Sequence, residues 1–182
     1  MKLHLGCGDK YLESREKESY IHCDIRENDN IDYVLDLKNL NVFIDNSIDE
    51  IYACHVLEHF GRFEINNVLS EWNRVLKKEG VLRLAVPNFE EIVGEFLENS
   101  NVDAIIGLLY GGQDYKYNFH KYCFTFDSLS KLLEDNGFYN VNIYDWKDFL
   151  PEGYDDFSRA YLPHMDFENG RLMSLNVTAN KR

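Results

Sequence analysis

Short apolar runs alternate along this chain with longer segments of helical periodicity, and this alternation limits the fold more than any other feature. The clearest helix is predicted over Glu64–Lys77, whose apolar residues fall on one face. Seven segments have the length and composition of strands: Lys2–Leu5, Tyr20–Ile25, Tyr33–Leu37, Ile48–Cys54, Val81–Val86, Asn140–Trp146 and Arg171–Ala179. Strands that alternate with helices form a parallel sheet with helices packed on its faces. We therefore expect one α/β domain that covers residues 1–182.

Two further helices are predicted, one over Phe89–Asn99 and one that begins after a cap at Thr125 or Asp127. Between and after them, two stretches at about 100–124 and 147–170 have no clear period. Stretches of this length without regular structure usually act as lids or binding loops in a compact domain. We expect both to be insertions that lie over the functional site.

Composition excludes several classes of function. The 182 residues are 45% hydrophobic, which is enough for a buried core, and the net charge of −13 argues against a nucleic-acid track. The apolar runs are too short to cross a bilayer, so no membrane insertion is expected. The four cysteines form no Cys-x-x-Cys pair and the N-terminus carries no apolar leader, which together predict a reduced, cytoplasmic protein. The oligomeric state is left open.

The first predicted strand runs directly into a turn with two glycines, Gly6-Cys7-Gly8. Glycines let the backbone approach a ligand closely. The second strand ends at Asp24 and Ile25, and the third at Asp36 and Leu37. An acid at the second strand end can accept hydrogen bonds from both ribose hydroxyls of an adenosine, and Leu37 can cover an adenine face. Because the carboxyl ends of parallel strands line one crevice, these three strand ends predict a nucleoside site.

A dinucleotide is a weaker interpretation of the same turn. The fingerprint for a pyrophosphate needs a third glycine at position 11, which is Tyr11 here. The turn therefore favours an adenosine ligand that has no pyrophosphate.

The chain resembles the class I S-adenosylmethionine-dependent methyltransferases, and within them the small type 11 methyltransferases associated with surface-glycan synthesis. The resemblance lies in the order of motifs along nearly the whole chain: Leu5-Gly6-Cys7-Gly8, Asp24, Asp36-Leu37, Asn46–Ile51, His55-Val56-Leu57-Glu58-His59, Arg74–Gly80, Leu84–Asn88, Tyr110–Gln113, His120–Tyr122, Phe124-Thr125 and Asn136–Phe138. The chain departs from the family pattern at His4, where many relatives carry an acid, and at Lys10, where the family has a third glycine.

The resemblance implies a Rossmann-like, doubly wound and mostly parallel seven-stranded sheet with an antiparallel last strand. It implies S-adenosylmethionine as cofactor and a small-molecule acceptor, with a sugar or glycan-precursor hydroxyl as the expected target. The residues carried over to the cofactor site are Gly6, Cys7, Gly8, Asp24, Ile25, Asp36, Leu37 and His55. A short first helix is expected in the brief crossover between Gly8 and Tyr20.

Transfer to a hydroxyl requires a group that removes its proton, and histidine does this near neutral pH. The candidate catalytic residues are His55, Glu58, His59 and His120. His55 to His59 also match the His-x-x-Glu-His pattern of inverted zinc proteases. We rank that alternative low and expect no metal, because the segment follows a strand end instead of lying within a helix.

A second class of function is a non-catalytic module that keeps the methyltransferase fold and serves a partner protein. The altered glycine turn favours this alternative, whereas Asp24, Asp36 and the segment His55–His59 favour an enzyme.

Overall fold

The computed structural model describes residues 1–13 and 20–182. Within them, nine strands follow in chain order: β1 (Lys2–Leu5), β2 (Ile21–Asp24), β3 (Tyr33–Val34), β4 (Ile48–Cys54), β5 (Leu76–Pro87), β6 (Phe138–Ile143), β7 (Tyr161–Leu162), β8 (Arg171–Leu172) and β9 (Ser174–Lys181). Seven of them form one sheet in the order β3-β2-β1-β4-β5-β9-β6, and β7 pairs with β8. The five neighbouring strands β3, β2, β1, β4 and β5 run parallel to one another. Strand β9 is antiparallel to both of its neighbours, β5 and β6. The predicted α/β class and the mostly parallel sheet with its antiparallel last strand are confirmed.

The helices are α1 (Ile65–Val75), α2 (Phe89–Asn99), α3 (Val102–Tyr110), α4 (Phe126–Asp135) and the single turn α5 (Trp146–Phe149). Short 3-10 turns lie at Leu57–His59 and Phe157–Arg159. Thr125, one of the two predicted caps, begins α4: its hydroxyl accepts from the Ser128 amide at 3.2 Å, and the Ser128 hydroxyl accepts from the Thr125 amide at 2.9 Å. No helix in the described part of the chain is both long and apolar enough to cross a bilayer.

The fifth strand begins earlier than predicted. Helix α1 ends at Val75 and β5 starts at the next residue, Leu76, instead of at Val81. Leu76 pairs with Ile48 and Val81 pairs with Glu50, so the register between β4 and β5 shifts between these two pairs. The charged residues between Leu76 and Val81 lie at this irregularity. Gly80, predicted to follow the helix as a stop, therefore lies within β5. The third strand is shorter than predicted, because β3 ends at Val34.

The stretch at about 100–124 contains helix α3, which the sequence did not predict. Its sequence VDAIIGLLY is apolar on nearly every side, so it has no amphipathic period. Asn101 caps it by accepting from the Asp103 amide at 3.1 Å. The stretch at 147–170 likewise contains regular structure, namely a 3-10 turn and β7. The short helix predicted in the crossover between Gly8 and Tyr20 falls partly on residues 14–19, which lie outside the described residues.

The core joins α1 to the loop that follows β3. Trp72 is fully buried, and its indole N–H donates to the carbonyl of Leu37 at 2.9 Å. Burial of an aromatic side chain of this size stabilises a domain by about 3–5 kcal/mol relative to alanine. The contact fixes the end of the β3 segment against the sheet.

Backbone hydrogen bonds also join the carboxyl ends of neighbouring strands. The Gly6 amide donates to Cys23 at 2.7 Å, the Leu35 amide to Asp24 at 2.9 Å and the His55 amide to Ala85 at 2.8 Å. The ends of β1, β2, β3, β4 and β5 are therefore held together at one edge of the sheet.

Candidate active site

The glycine turn packs on the end of β4. Gly6 and Gly8 have φ of 65° and 59°, the left-handed region that favours glycine. A Cβ on Gly6 would lie 2.4 Å from Cγ2 of Val56, whereas a Cβ on Gly8 would meet only the tip of the Arg26 side chain, at 3.2 Å. Cys7 between them is buried, and burial raises the pKa of its thiol to about 12. The turn thus offers its backbone to a ligand, because its one side chain is a neutral buried thiol.

Asp24 lies directly beside this turn. Its carboxylate is 5% exposed and accepts from the Gly8 amide at 2.8 Å through Oδ2 and from the Arg26 amide at 2.8 Å through Oδ1. Each carboxylate oxygen has two lone pairs, so both oxygens can still accept a further hydrogen bond. The position is suitable for a pair of ribose hydroxyls. Ile25, the next residue, is half-buried.

Asp36 and Leu37 take up different positions beyond β3. Asp36 is exposed, and its carboxylate accepts from the Lys38 amide at 3.0 Å. Leu37 is 6% exposed and belongs to the main hydrophobic core. Asp36 is therefore accessible to a ligand, whereas most of the Leu37 side chain is directed into the protein.

Arg26 and Tyr115 form a contact at this edge that the sequence analysis missed. The guanidinium of Arg26 lies 4.6 Å from the centre of the Tyr115 ring. The neighbouring Asn28 side chain donates to the Gly8 carbonyl at 2.6 Å. No local pattern links residues so far apart in the chain, so only the fold reveals that Tyr115 reaches the side of Asp24.

Glu58 is the most unusual group at the end of β4. Its side chain is 0% exposed, and neither carboxylate oxygen has a hydrogen-bond partner. Burial raises the pKa of this carboxyl from 4.5 to about 8. A buried acid without partners is costly, and such groups are concentrated at functional sites.

Three imidazoles surround this carboxylate. His55 Nδ1 lies 3.4 Å from Glu58 Oε1, and His120 Nε2 lies 3.9 Å from the same oxygen. His59 packs edge-on against His120, with ring centres 4.8 Å apart. His55 itself has a φ of 53°, a strained conformation for a residue with a side chain. The structure therefore brings all four predicted catalytic residues into one cluster.

The imidazoles are neutral because they are buried. Burial, followed by the charges of neighbouring histidines, lowers the pKa of His55 to about 3 and that of His59 to about 4. Burial also lowers the pKa of His120. Each ring of this cluster is thus unprotonated near pH 7 and has one nitrogen with a free lone pair.

Two polar residues of strand β9, which pairs with β5, extend the cluster and were not predicted. His55 Nε2 lies 3.2 Å from the Ser174 hydroxyl, which is 2.9 Å from the side-chain oxygen of Asn176. Both are buried, and Asn176 donates to the Ser158 carbonyl at 2.8 Å. The only sequence signal was the presence of polar residues in an apolar strand.

The arrangement does not support the inverted zinc-protease alternative. That motif requires a helix to place its two histidines on one face. Here Leu57–His59 form a 3-10 turn, and the ring of His55 faces Ser174 and Glu58.

Comparison with known proteins agrees with this geometry. Residues 3–84 match a sequence family described as a methyltransferase domain, and no curated protein matches the chain. An S-adenosylmethionine-dependent methyltransferase from Archaeoglobus fulgidus superposes with a TM-score of 0.58 and 16% identity, over 99% of this chain and 85% of that one. The chain has a methyltransferase fold.

Other structures with this methyltransferase fold act on different acceptors. The 1,6-didemethyltoxoflavin-N1-methyltransferase of Burkholderia thailandensis, solved with S-adenosylhomocysteine, is 13% identical, with a TM-score of 0.57 over 99% of this chain and 70% of that one. The CurJ carbon methyltransferase is 17% identical, with a TM-score of 0.57 over 99% of this chain and 48% of that one. At the level of domain and fold, the predicted class of S-adenosylmethionine-dependent methyltransferase and its cofactor are confirmed.

In this methyltransferase fold, one segment after α3 reaches both ends of the site. Tyr115 stacks on Arg26 beside Asp24, and His120 of the same segment faces Glu58. The later stretch also contacts the end of β4, since the ring of Phe157 lies 5.3 Å from that of His55.

Proposed function

We propose that the protein transfers the methyl group of S-adenosylmethionine to a hydroxyl of a small molecule, with a sugar or glycan precursor as the acceptor class. The observation that carries this proposal is the cluster of imidazoles around Glu58, two residues after Val56, the residue packed on the glycine turn. A hydroxyl acceptor must lose its proton as its oxygen attacks, so proton-accepting groups beside the cofactor favour this chemistry.

The strand ends supply the cofactor site in this proposal. The backbone of Gly6-Cys7-Gly8 faces the methionine part together with His55, and Asp24 accepts from the ribose hydroxyls. Ile25 and Asp36 lie at the adenine end, where Leu37 would contribute its backbone because its side chain packs in the core. The support for this assignment is that the Asp24 carboxylate is already oriented by the Gly8 and Arg26 amides.

Methyl transfer is an in-line displacement in which the acceptor oxygen bonds to the methyl carbon while the carbon–sulfur bond breaks. The sulfonium leaves as a neutral thioether, so the protein mainly aligns the acceptor and excludes water. The acceptor proton passes to the Nε2 atom of His120 or His59. Because burial lowers the pKa of each ring, the rings are unprotonated at neutral pH and each has a nitrogen lone pair that can accept the proton.

Aromatic side chains around His120 favour a sugar-like acceptor. Tyr110, Tyr117 and Phe119 are 54%, 42% and 40% exposed, so their rings are free to pack against the apolar face of a sugar. Since fold relatives act on carbon and on a ring nitrogen, this local chemistry and not the fold selects the acceptor.

Cofactor binding is tested by calorimetry with S-adenosylhomocysteine. Asp24→Ala removes charge-assisted hydrogen bonds of roughly 1.5–3 kcal/mol each, so we expect affinity to fall at least tenfold. Asp29→Ala, an exposed acid in the following loop, is the matched control and should bind normally. Equal affinity in wild type and Asp24→Ala would refute the ribose assignment.

Turnover is tested by mass spectrometry of a panel of sugars and sugar nucleotides incubated with S-adenosylmethionine. Loss of a general base lowers turnover by about 10²-fold or more, so we expect this of His120→Ala, with unchanged affinity for S-adenosylhomocysteine. His164→Ala replaces an exposed histidine and serves as control. Methylation of amines with no hydroxyl product would overturn the proposed acceptor class.

A further inference from the structure

We infer that Glu58, His59 and His120 form a binding site for one divalent transition-metal ion of the zinc type. Each residue offers one ligand atom, and the three atoms lie within 4.8 Å of one another. This inference departs from the sequence-based expectation of no metal. That expectation considered only the pair His55 and His59, whereas the fold brings His120 to His59 from the segment after α3.

The separations are close to those of a bound ion. Zinc binds nitrogen and oxygen ligands at about 2.0–2.2 Å in a tetrahedron, which places the ligand atoms roughly 3.4 Å apart. His120 Nε2 is 3.9 Å from Glu58 Oε1, and the widest separation in the set is at most 4.8 Å. Side-chain movements of about an ångström or less therefore complete the geometry.

Both histidines already have the orientation that metal ligands need. Nδ1 of His120 lies 2.9 Å from the Leu108 carbonyl, and Nδ1 of His59 lies 3.2 Å from the Phe119 carbonyl. A carbonyl only accepts, so Nδ1 carries the hydrogen in each ring and Nε2 keeps its lone pair. A ligating histidine almost always donates its other ring N–H to such a partner.

Glu58 supplies the independent evidence for a cation. Both of its carboxylate oxygens are buried and lack hydrogen bonds. In the described part of the chain, the groups within ion-pair distance of this carboxylate are the imidazoles of His55 and His120, with no lysine or arginine among them. Burial without a hydrogen-bond partner drives this carboxyl towards its neutral form, whereas a divalent ion would pair with the charged form and would also use both Nε2 lone pairs.

The donor set favours a zinc-type ion over magnesium or calcium, which prefer oxygen ligands. Two imidazole nitrogens and one carboxylate oxygen are also the three protein ligands of known catalytic zinc sites, which leave the fourth position open. An open position distinguishes such a site from a purely structural one.

The role of the ion rests on the proposed function. The acceptor hydroxyl would bind at the open position, where the positive charge lowers its pKa as it does that of bound water. The ion would thus supply a positive charge that favours loss of the hydroxyl proton to solvent, and the displacement itself would remain the one given for the proposed function, with the electron pair of the carbon–sulfur bond returning to sulfur. With an ion bound, Nε2 of His59 and His120 would hold it and solvent would take the acceptor proton; without an ion, the rings would take the proton as in the proposed function.

The test titrates Zn²⁺ into the chelator-treated full chain by calorimetry, with Co²⁺ absorption as a second readout of the ligand set. We expect one ion per chain and at least a 100-fold loss of affinity in each of Glu58→Gln, His59→Ala and His120→Ala. Glu58→Gln keeps the size of the side chain, and binding of S-adenosylhomocysteine reports whether each variant is folded. The controls are His164→Ala and Cys123→Ser, which remove exposed potential ligands outside the set.

Absence of zinc binding in a chain that binds S-adenosylhomocysteine would overturn the metal site and leave the proposed function standing. The site is also refuted if affinity is unchanged in Glu58→Gln or is lost in Cys123→Ser instead. Conversely, one zinc per chain that depends on Glu58, without any methylated hydroxyl product, would support the site and refute the proposed acceptor.

Discussion

Replacement of Gly6 by alanine tests whether the glycine turn is held by Val56. A residue with a side chain in the left-handed region costs about 1–2 kcal/mol. At Gly6 the new Cβ would also lie 2.4 Å from Cγ2 of Val56, a branched side chain that is itself buried. Overpacking of this kind adds about 1–3 kcal/mol. We therefore expect Gly6→Ala to lower the free energy of unfolding by about 2–5 kcal/mol.

Gly8→Ala is the matched control, because Gly8 has nearly the same φ. Its new Cβ would meet only the end of the flexible Arg26 side chain, at 3.2 Å, which can move aside. The expected cost is therefore the conformational term alone, about 1–2 kcal/mol. Urea unfolding at constant m-value measures both variants.

A cost for Gly6→Ala within about 0.5 kcal/mol of that for Gly8→Ala would refute the argument, because additivity errors are of that size. A double-mutant cycle with Val56→Ala sharpens the test. Since that change removes the clashing methyl groups, the two substitutions should couple by about 1–3 kcal/mol. In thermal unfolding, the Gly6→Ala loss corresponds to roughly 4–20 °C for a domain of this size.

Two further predictions concern stability. Burial lowers the pKa of His4 from 6.5 to about 3, so below pH 6.5 the unfolded chain binds a proton that the folded chain does not, and the free energy of unfolding falls as the pH falls. In urea unfolding, the loss of stability between pH 7 and pH 5 should be about 2 kcal/mol smaller in His4→Phe than in the wild type. Equal losses in the two proteins would contradict this prediction. The Arg74 guanidinium donates to Glu71 at 2.8 Å and to the Leu40 carbonyl at 3.1 Å, so Arg74→Lys should cost about 1–3 kcal/mol in the same assay. Lys131→Ala, at an exposed ion pair, should change stability by about 1 kcal/mol or less, and an equal loss at both positions would refute the role of Arg74.

Local patterns were sufficient to predict the sheet and the cofactor edge. Strand β4 has the predicted bounds, Ile48–Cys54. The acids at Asp24 and Asp36 were found because they follow apolar runs directly, and parallel strands end at one edge. Helix α3 was missed because its sequence is apolar on nearly every side and therefore has no amphipathic period.

The contacts within the site could not be predicted in the same way. Glu58 and His120 are separated by a helix, a strand and two further helices, and their approach depends on where the segment after α3 returns to the sheet. Ser174 and Asn176 looked like ordinary polar residues of a strand. Their importance comes from the pairing of β9 with β5, which places Ser174 opposite Pro87 and Asn176 opposite Ala85, near His55.

The segment after α3 contacts the candidate site in two places, beside Asp24 and beside Glu58. Within the segment, the Gln113 amide donates to the Asn118 carbonyl at 2.8 Å. The segment is bonded to the turn that follows β4, because the Lys121 amide donates to the Glu58 carbonyl at 2.7 Å. Tyr115 of this segment lies against Arg26, and His120 of the same segment lies near the Glu58 carboxyl. One short stretch of chain therefore couples the geometry beside Asp24 to the geometry around Glu58, so a change in its backbone would alter both places at once.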